Sequence, residues 1–176
     1  MDEFAINSHQ RVAKAQDEGA FQDEITTIYD NQGHFYAADD GLRRDTSLEK
    51  LATLQPFFDK KFGQVTPANS SQVSDGAAFL ILASEKAVKH YNLPILGRIV
   101  DCEWAGVDPR QMGLGPVHAM TPLLQRHQLQ LKDIDNWEIN EAFAAQVLGC
   151  LRAWESPDYC RDELGLSEAL GSIDKG

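Results

Sequence analysis

The residues that could do chemistry fall in a few short stretches. In residues 137–146, WEINEAFAAQ, a short apolar run meets Asn140 and passes directly into an alanine-rich helical pattern. A carboxamide both donates and accepts hydrogen bonds, so at the carboxyl edge of a sheet it could hold a water or donate toward a developing oxyanion. The competing reading makes Asn140 the N-cap of the following helix, with Glu141 favouring its positive end. Position alone does not choose between them. Phe143 reads either as a pocket wall or as core. In residues 68–78, ANSSQVSDGAA, the small Ser70 and Ser71 and the nearby Gly76 would let backbone approach a ligand, or simply form a loop before a buried segment. Met112, in the glycine-rich stretch MGLGP, offers a polarizable thioether to an acyl surface or fills a core gap. The pairs Arg43-Arg44 and Lys60-Lys61 could meet phosphate, or could be solvated faces. Asp39, Asp40 and Asp45 compete for the arginines, although exposed ion pairs contribute only ~0–1 kcal/mol.

The elements that must position these groups follow from periodicity. Residues 2–18 read as a helix with acidic groups in the first turn. Around Asn31-Gln32-Gly33, residues 25–41 alternate β-branched and aromatic side chains and read as a hairpin or irregular strand pair. Leu48, Leu51, Leu54, Phe57 and Phe58 give a helical period that Pro56 ends. AAFLILASE reads as a strand buried between layers and EKAVKHYNL as a short helix. Beyond Pro94, ILGRIVDCEWAGVDP is a strand with alternating character, GPVHAMTPLLQRHQL a helix with Gly115-Pro116 at its start, DIDNWEI a second strand, and residues 141–154 a helix. After Glu155, ESPDYC is turn-rich and DELGLSEALG helix-like. Strand, helix, strand, helix is the order of an α/β layer.

Composition narrows the function classes. The 176 residues are 43% apolar, enough for a sizeable core. A net charge of -11 argues against nucleic acid, whose phosphates need a concentrated basic surface. No apolar run approaches the ~20 residues that span a bilayer, and MDEFAINSHQ lacks the basic and apolar regions of a signal peptide. The expectation from these features is a soluble, cytoplasmic protein. Cys102, Cys150 and Cys160 form neither an even set nor a C-x-x-C pair, which points to reduced thiols and to no disulfide framework or metal site.

Taken together, NEAF, ANSSQVSDGAA and MGLGPVHA strongly resemble the thiolase family, the acyl-CoA condensing and cleaving acyltransferases. The resemblance covers essentially the whole chain and corresponds to the middle of a longer thiolase. It implies an α/β, thiolase-like fold with a coenzyme-binding loop portion over residues 1–63, the end of the first α/β half over 64–93, and the first part of the second half over 94–176. In the family, the asparagine of NEAF anchors a catalytic water in an oxyanion hole, which assigns that role to Asn140. The matching serine, Ser71, would contact the pantetheine of coenzyme A. Arg43 would stand near the nucleotide end, with Ser47 close by and Phe57 or Phe58 near the adenine. Met112 and Phe143 would line the pocket. At Ala68 and Gln72 the family frequently has glycine, and His118 stands where a proline or small residue is common, so no catalytic role is assigned to it.

Family chemistry transfers an acyl group through a cysteine thioester activated by histidine, while a second cysteine moves the α-carbon proton. None of the three motifs that carry those groups occurs in this chain. The resemblance therefore implies a thiolase-type acyltransferase, either an acetyl-CoA acetyltransferase or a 3-ketoacyl-CoA thiolase, of which these residues alone are inactive. Coenzyme A and acyl-CoA would be substrates, with no permanently bound cofactor. Partners would be a second copy or a complementary thiolase portion. The alternative is a non-catalytic acyl-CoA-binding protein or a split-enzyme subunit.

Overall fold

A computed structural model describes residues 1–173. The chain divides into two compact units, one of Met1–Gln72 with Trp137–Ala153 and the other of Val73–Asn136 with Trp154–Gly176.

The first unit opens with helix α1, Asp2–Asp17, whose first turn carries Asp2 and Glu3 and whose last carries Lys14, both signs matched to the helix dipole. The expected hairpin forms: β1, Ile28–Tyr29, pairs antiparallel with β2, Phe35–Tyr36, in the register Ile28 to Tyr36. Its turn is closed by the Asp30 carboxylate, which accepts from the backbone N–H groups of Gln32 and His34. Gly33, at φ 88°, supplies the left-handed residue. Helix α2 covers only Leu48–Leu51, shorter than the expected run to Phe58. The Thr53 hydroxyl donates to the Lys50 carbonyl at 2.7 Å, and Pro56 both lacks an N–H and disfavours helix at the residue before it. A 3-10 turn, Pro67–Asn69, follows the N-cap Thr66.

The second unit contains α3, Glu85–Tyr91, and α4, Gly115–His127, both where expected. Ser84 caps α3, and Pro116 fits the start of α4, where a missing N–H costs nothing. Val117, Thr121 and Leu124 form the buried face of α4. Trp154 is fully buried, its indole N–H donating to Thr121 Oγ1 at 3.1 Å and its carbonyl accepting from Gly171 N. α5, Ala144–Glu155, belongs to the first unit up to Ala153 and carries the buried stripe Val147, Cys150, Leu151 and Trp154. It starts three residues later than the sequence pattern suggests.

The end of the chain reverses the expectation. ESPDYC is not turn but the start of helix α6, Pro157–Asp162, because Ser156 accepts from Tyr159 N and Pro157 occupies the first turn. DELGLSEALG, in turn, is not helical beyond Asp162, since Gly165 and Gly171 adopt φ of 67° and 106°.

The larger departure concerns strands. AAFLILASE, ILGRIVDCEW and DIDNWEI form no ladder, DIDNWEI instead beginning in a 3-10 turn, Leu131–Asp133, and Phe79, Leu80, Ile81 and Leu82 are exposed rather than buried, between 76% and 95%. Among the described residues the only pairings are β1 with β2 and an isolated antiparallel bridge between Ser70 and Phe143. Apolar, β-branched sequence favours an extended backbone, but a ladder needs neighbouring strands to pair with.

Candidate functional site

In the first unit, two loops far apart in sequence are zipped together. Ser71 N donates to the Ala142 carbonyl at 2.8 Å, one residue beyond the Ser70–Phe143 bridge. These contacts set Ser71 beside the corner that holds Asn140 to Phe143. Both Ser71 and Asn140 are exposed, so their polar groups face solvent rather than core. α5 begins only at Ala144, and Phe143 carries the carbonyl that accepts from Gln146 N and Val147 N. Asn140 stands four residues before Ala144, the first residue of α5, so it is not in the N-cap position of that helix.

Aromatic side chains gather at the same place. The Phe58 ring lies 6.4 Å from that of half-buried Phe143 and packs edge-on against Phe57 at 5.1 Å. Phe57 N donates to the Val65 carbonyl at 2.8 Å, which holds this aromatic turn against the approach to Thr66. Phe57 and Phe58 are both largely exposed, an arrangement that offers ring faces to a ligand.

The loop beneath is fixed from inside. Asn69 is 3% exposed, and its carboxamide is fully used: Oδ1 accepts from Thr66 N, while Nδ2 donates to the Gln64 carbonyl and to Asp2 of α1. Ser70 Oγ donates to the Thr66 carbonyl at 2.8 Å. Sequence reading passed over Asn69, since an asparagine in a polar loop gives no sign that it will be buried.

The arginine loop abuts the same segment. A Cβ at Gly41 would lie 1.7 Å from the Gln72 amide nitrogen, so glycine there permits the close approach of residue 72. Arg43 N donates to His9 Nδ1, and the Arg43 guanidinium donates to the Asp40 carbonyl at 3.1 Å. The expected competition from acidic neighbours is settled elsewhere: Asp45 pairs with Lys50 at 2.6 Å, and Arg44 pairs with Asp17 at 3.0 Å. Lys50 holds the Asp45 carboxyl below its usual range, by hydrogen bond first and charge second. Ser47 is occupied as the cap of α2, accepting from Lys50 N at 3.3 Å.

Met112 belongs to the second unit. It lies in the 3-10 segment Pro109–Leu114 leading into α4 and is exposed. His118, one turn further on, hydrogen-bonds the Tyr159 hydroxyl at 2.9 Å. Of the thiols, Cys150 and Cys160 are buried and Cys102 is exposed. Arg126 and His127, at the end of α4, both contact Asp101, and Arg126 also reaches Glu103. The Arg126 hydrogen bond, then that of His127, holds the Asp101 carboxyl far below the ordinary range.

This chain belongs to the thiolase family: the family's N-terminal domain profile, "Thiolase, N-terminal domain", matches residues 1–86, and "Thiolase, C-terminal domain" matches residues 93–171. The peroxisomal 3-ketoacyl-CoA thiolase of Homo sapiens is 43% identical over 97% of the chain, which covers 42% of that protein. The crystal structure of the dimeric peroxisomal thiolase of Saccharomyces cerevisiae superposes with a TM-score of 0.80 at 46% identity, covering 86% of this chain and 38% of that one. The Bacillus anthracis acetyl-CoA acetyltransferase structure gives 0.80 at 38% identity, covering 98% and 44%. The chain thus spans about two-fifths of the length of these relatives, and it carries the corresponding part of the α/β thiolase fold.

These relatives overturn the cytoplasmic expectation, because the human and yeast proteins are peroxisomal. Composition and charge could not have shown this. An organelle address is a short segment read by a receptor, and the bulk properties of a globular enzyme are the same on either side of the membrane.

Proposed function

We propose that the chain is part of a thiolase-type acyltransferase that moves an acyl group between 3-oxoacyl-CoA and coenzyme A, as an acetyl-CoA acetyltransferase or a 3-ketoacyl-CoA thiolase in an organelle. The observation that carries this reading is the hydrogen bond from Ser71 N to the Ala142 carbonyl, which brings the ANSSQ loop against the NEAF corner. In this reading Asn140 anchors the catalytic water, and Ser71 contacts the pantetheine. Arg43 and Ser47 stand toward the nucleotide end, Phe57 packs near the adenine, and Phe143 and Met112 line the pocket. Residues 1–63 form the coenzyme-binding portion, 64–93 the end of the first half and 94–176 the start of the second.

The nucleophilic cysteine, the histidine and the second cysteine come from outside these residues, supplied by a complementary thiolase portion. Titration of the purified chain with coenzyme A should give saturable heat, and acetoacetyl-CoA should remain uncleaved until a cysteine-bearing thiolase portion is added. Cleavage by the chain alone would sink the division of labour, and no binding under any condition would sink the site.

A second reading is a binding protein without chemistry. It is favoured by the placement of the thiols, since Cys150 and Cys160 are buried. Coenzyme A binding with no cleavage even after the complementary portion is added would select it.

A further inference from the structure

We propose that α1 is a clasp that sets the register of the candidate site, with Asp2 and Ser8 as positioning residues acting through Asn69 and Glu141. The inference rests on the reading that the Thr66–Ser71 loop and the Asn140–Phe143 corner form one ligand-facing site. Neither segment belongs to a strand of a continuous sheet, so their alignment depends on the Ser70–Phe143 bridge, the Ser71 bond and whatever holds each segment from behind.

α1 holds both. At its first residue, Asp2 Oδ1 accepts from the buried Asn69 carboxamide at 2.8 Å. Asn69 in turn accepts from Thr66 N and donates to Gln64, so the position of this one amide fixes the whole loop that ends in Ser71. Six residues along, the Ser8 hydroxyl donates to the carboxylate of Glu141, the residue next to Asn140. A helix of 16 residues is a stiff spacer rising ~1.5 Å per residue, so two latches six positions apart hold their targets ~9 Å apart along its axis. A third set of contacts ties the arginine loop to the same helix: His9 accepts from Arg43 N, and Gln16 and Asp17 accept from Arg44.

The Asn69 latch is the stronger of the two. Its carboxamide is buried, so losing Asp2 would leave a desolvated N–H seeking a partner, whereas the Ser8 bond is nearer the surface. Helicity is not the purpose of Ser8, because alanine would serve the interior of α1 better, whereas Asp2 serves both the positive end of the helix and the Asn69 amide.

The test is hydrogen exchange at the Ser71 amide, followed by NMR in the whole 176-residue chain, with coenzyme A titrated in parallel. Ser8→Ala should speed exchange at Ser71 about tenfold, the loss of one net hydrogen bond, and Asp2→Ala should speed it more. Exchange at the Leu129 amide, which donates to Leu124 in the second unit, should not change. Ser8→Thr, which keeps the hydroxyl, and Asp2→Asn, which keeps an acceptor oxygen, should restore protection. Unchanged exchange at Ser71 in both alanine variants overturns the clasp, and so does equal acceleration at Leu129, which would mark general destabilisation. The functional reading fails separately: if the unaltered chain does not bind coenzyme A while Ser71 still responds, the clasp stands and the ligand assignment falls.

Discussion

Arg43 and Arg44 are adjacent and chemically identical, yet they are placed for different work. Arg44 is tied to Gln16 and Asp17 of α1, whereas the Arg43 guanidinium donates to a main-chain carbonyl, makes no contact ion pair among the described residues and feels the Asp45 carboxylate only at longer range. A guanidinium without a carboxylate partner can take a phosphate without first giving up an ion pair. Arg43→Ala should therefore weaken coenzyme A binding about tenfold by calorimetry, a loss of ~1.4 kcal/mol, while Arg44→Ala changes it much less. Equal losses would mean that the pair acts only through net charge. Asp101 gives a pH prediction of the same kind. Its carboxyl is depressed by Arg126 and His127, so its contribution to stability is complete above the unfolded value near ~3.9 and is lost as pH falls through the lower folded value. In Arg126→Met, the Asp101 carboxyl carbon should titrate closer to that ordinary value in an NMR pH series.

At the scale of elements, helix starts are set by local chemistry and can be tested locally. Ser156 caps α6, and Ser156→Ala should cost ~1 kcal/mol in urea unfolding of the second unit. Thr121→Val keeps the shape of the buried face of α4 but removes the acceptor of the Trp154 indole, and should cost ~1–3 kcal/mol with a shifted indole N–H resonance. The same locality explains what the sequence made legible. α1, α3 and α4 and the β1–β2 hairpin were all readable, because period, cap and turn residues lie within a few positions of one another. The strands expected in AAFLILASE and ILGRIVDCEWAGVDP do not form among the described residues, since pairing is decided by residues elsewhere in a chain or in another chain. α6 was missed because the turn-forming look of Ser-Pro-Asp masked a cap followed by a first-turn proline. At the site, Asn140, Ser71 and Phe143 were visible through their motif, and the structure brings them together at one corner. The contributions of Asp2, Ser8 and Asn69 left no mark in the sequence, because a latch is made by side chains that meet only in three dimensions.

For the whole molecule, the exposed run Phe79–Leu82, with Ile95, Leu96, Ile99 and Val100, is the dominant property. Backbone outside any helix or ladder and lined with exposed large apolar side chains drives association and admits proteases. Sedimentation velocity should show concentration-dependent species, and Leu80→Lys with Ile99→Lys should reduce them. Brief chymotrypsin treatment should cut first at Phe79 and Trp104 rather than within α4 or α5, whose backbones are held in helices. The run has a further meaning inside a cell. Four consecutive large apolar residues left exposed are what chaperones and quality-control proteases bind, so any polypeptide that carries this run persists only once the run is covered. Producing these residues together with a cysteine-bearing thiolase portion should raise their steady-state level before any change in catalysis can be measured.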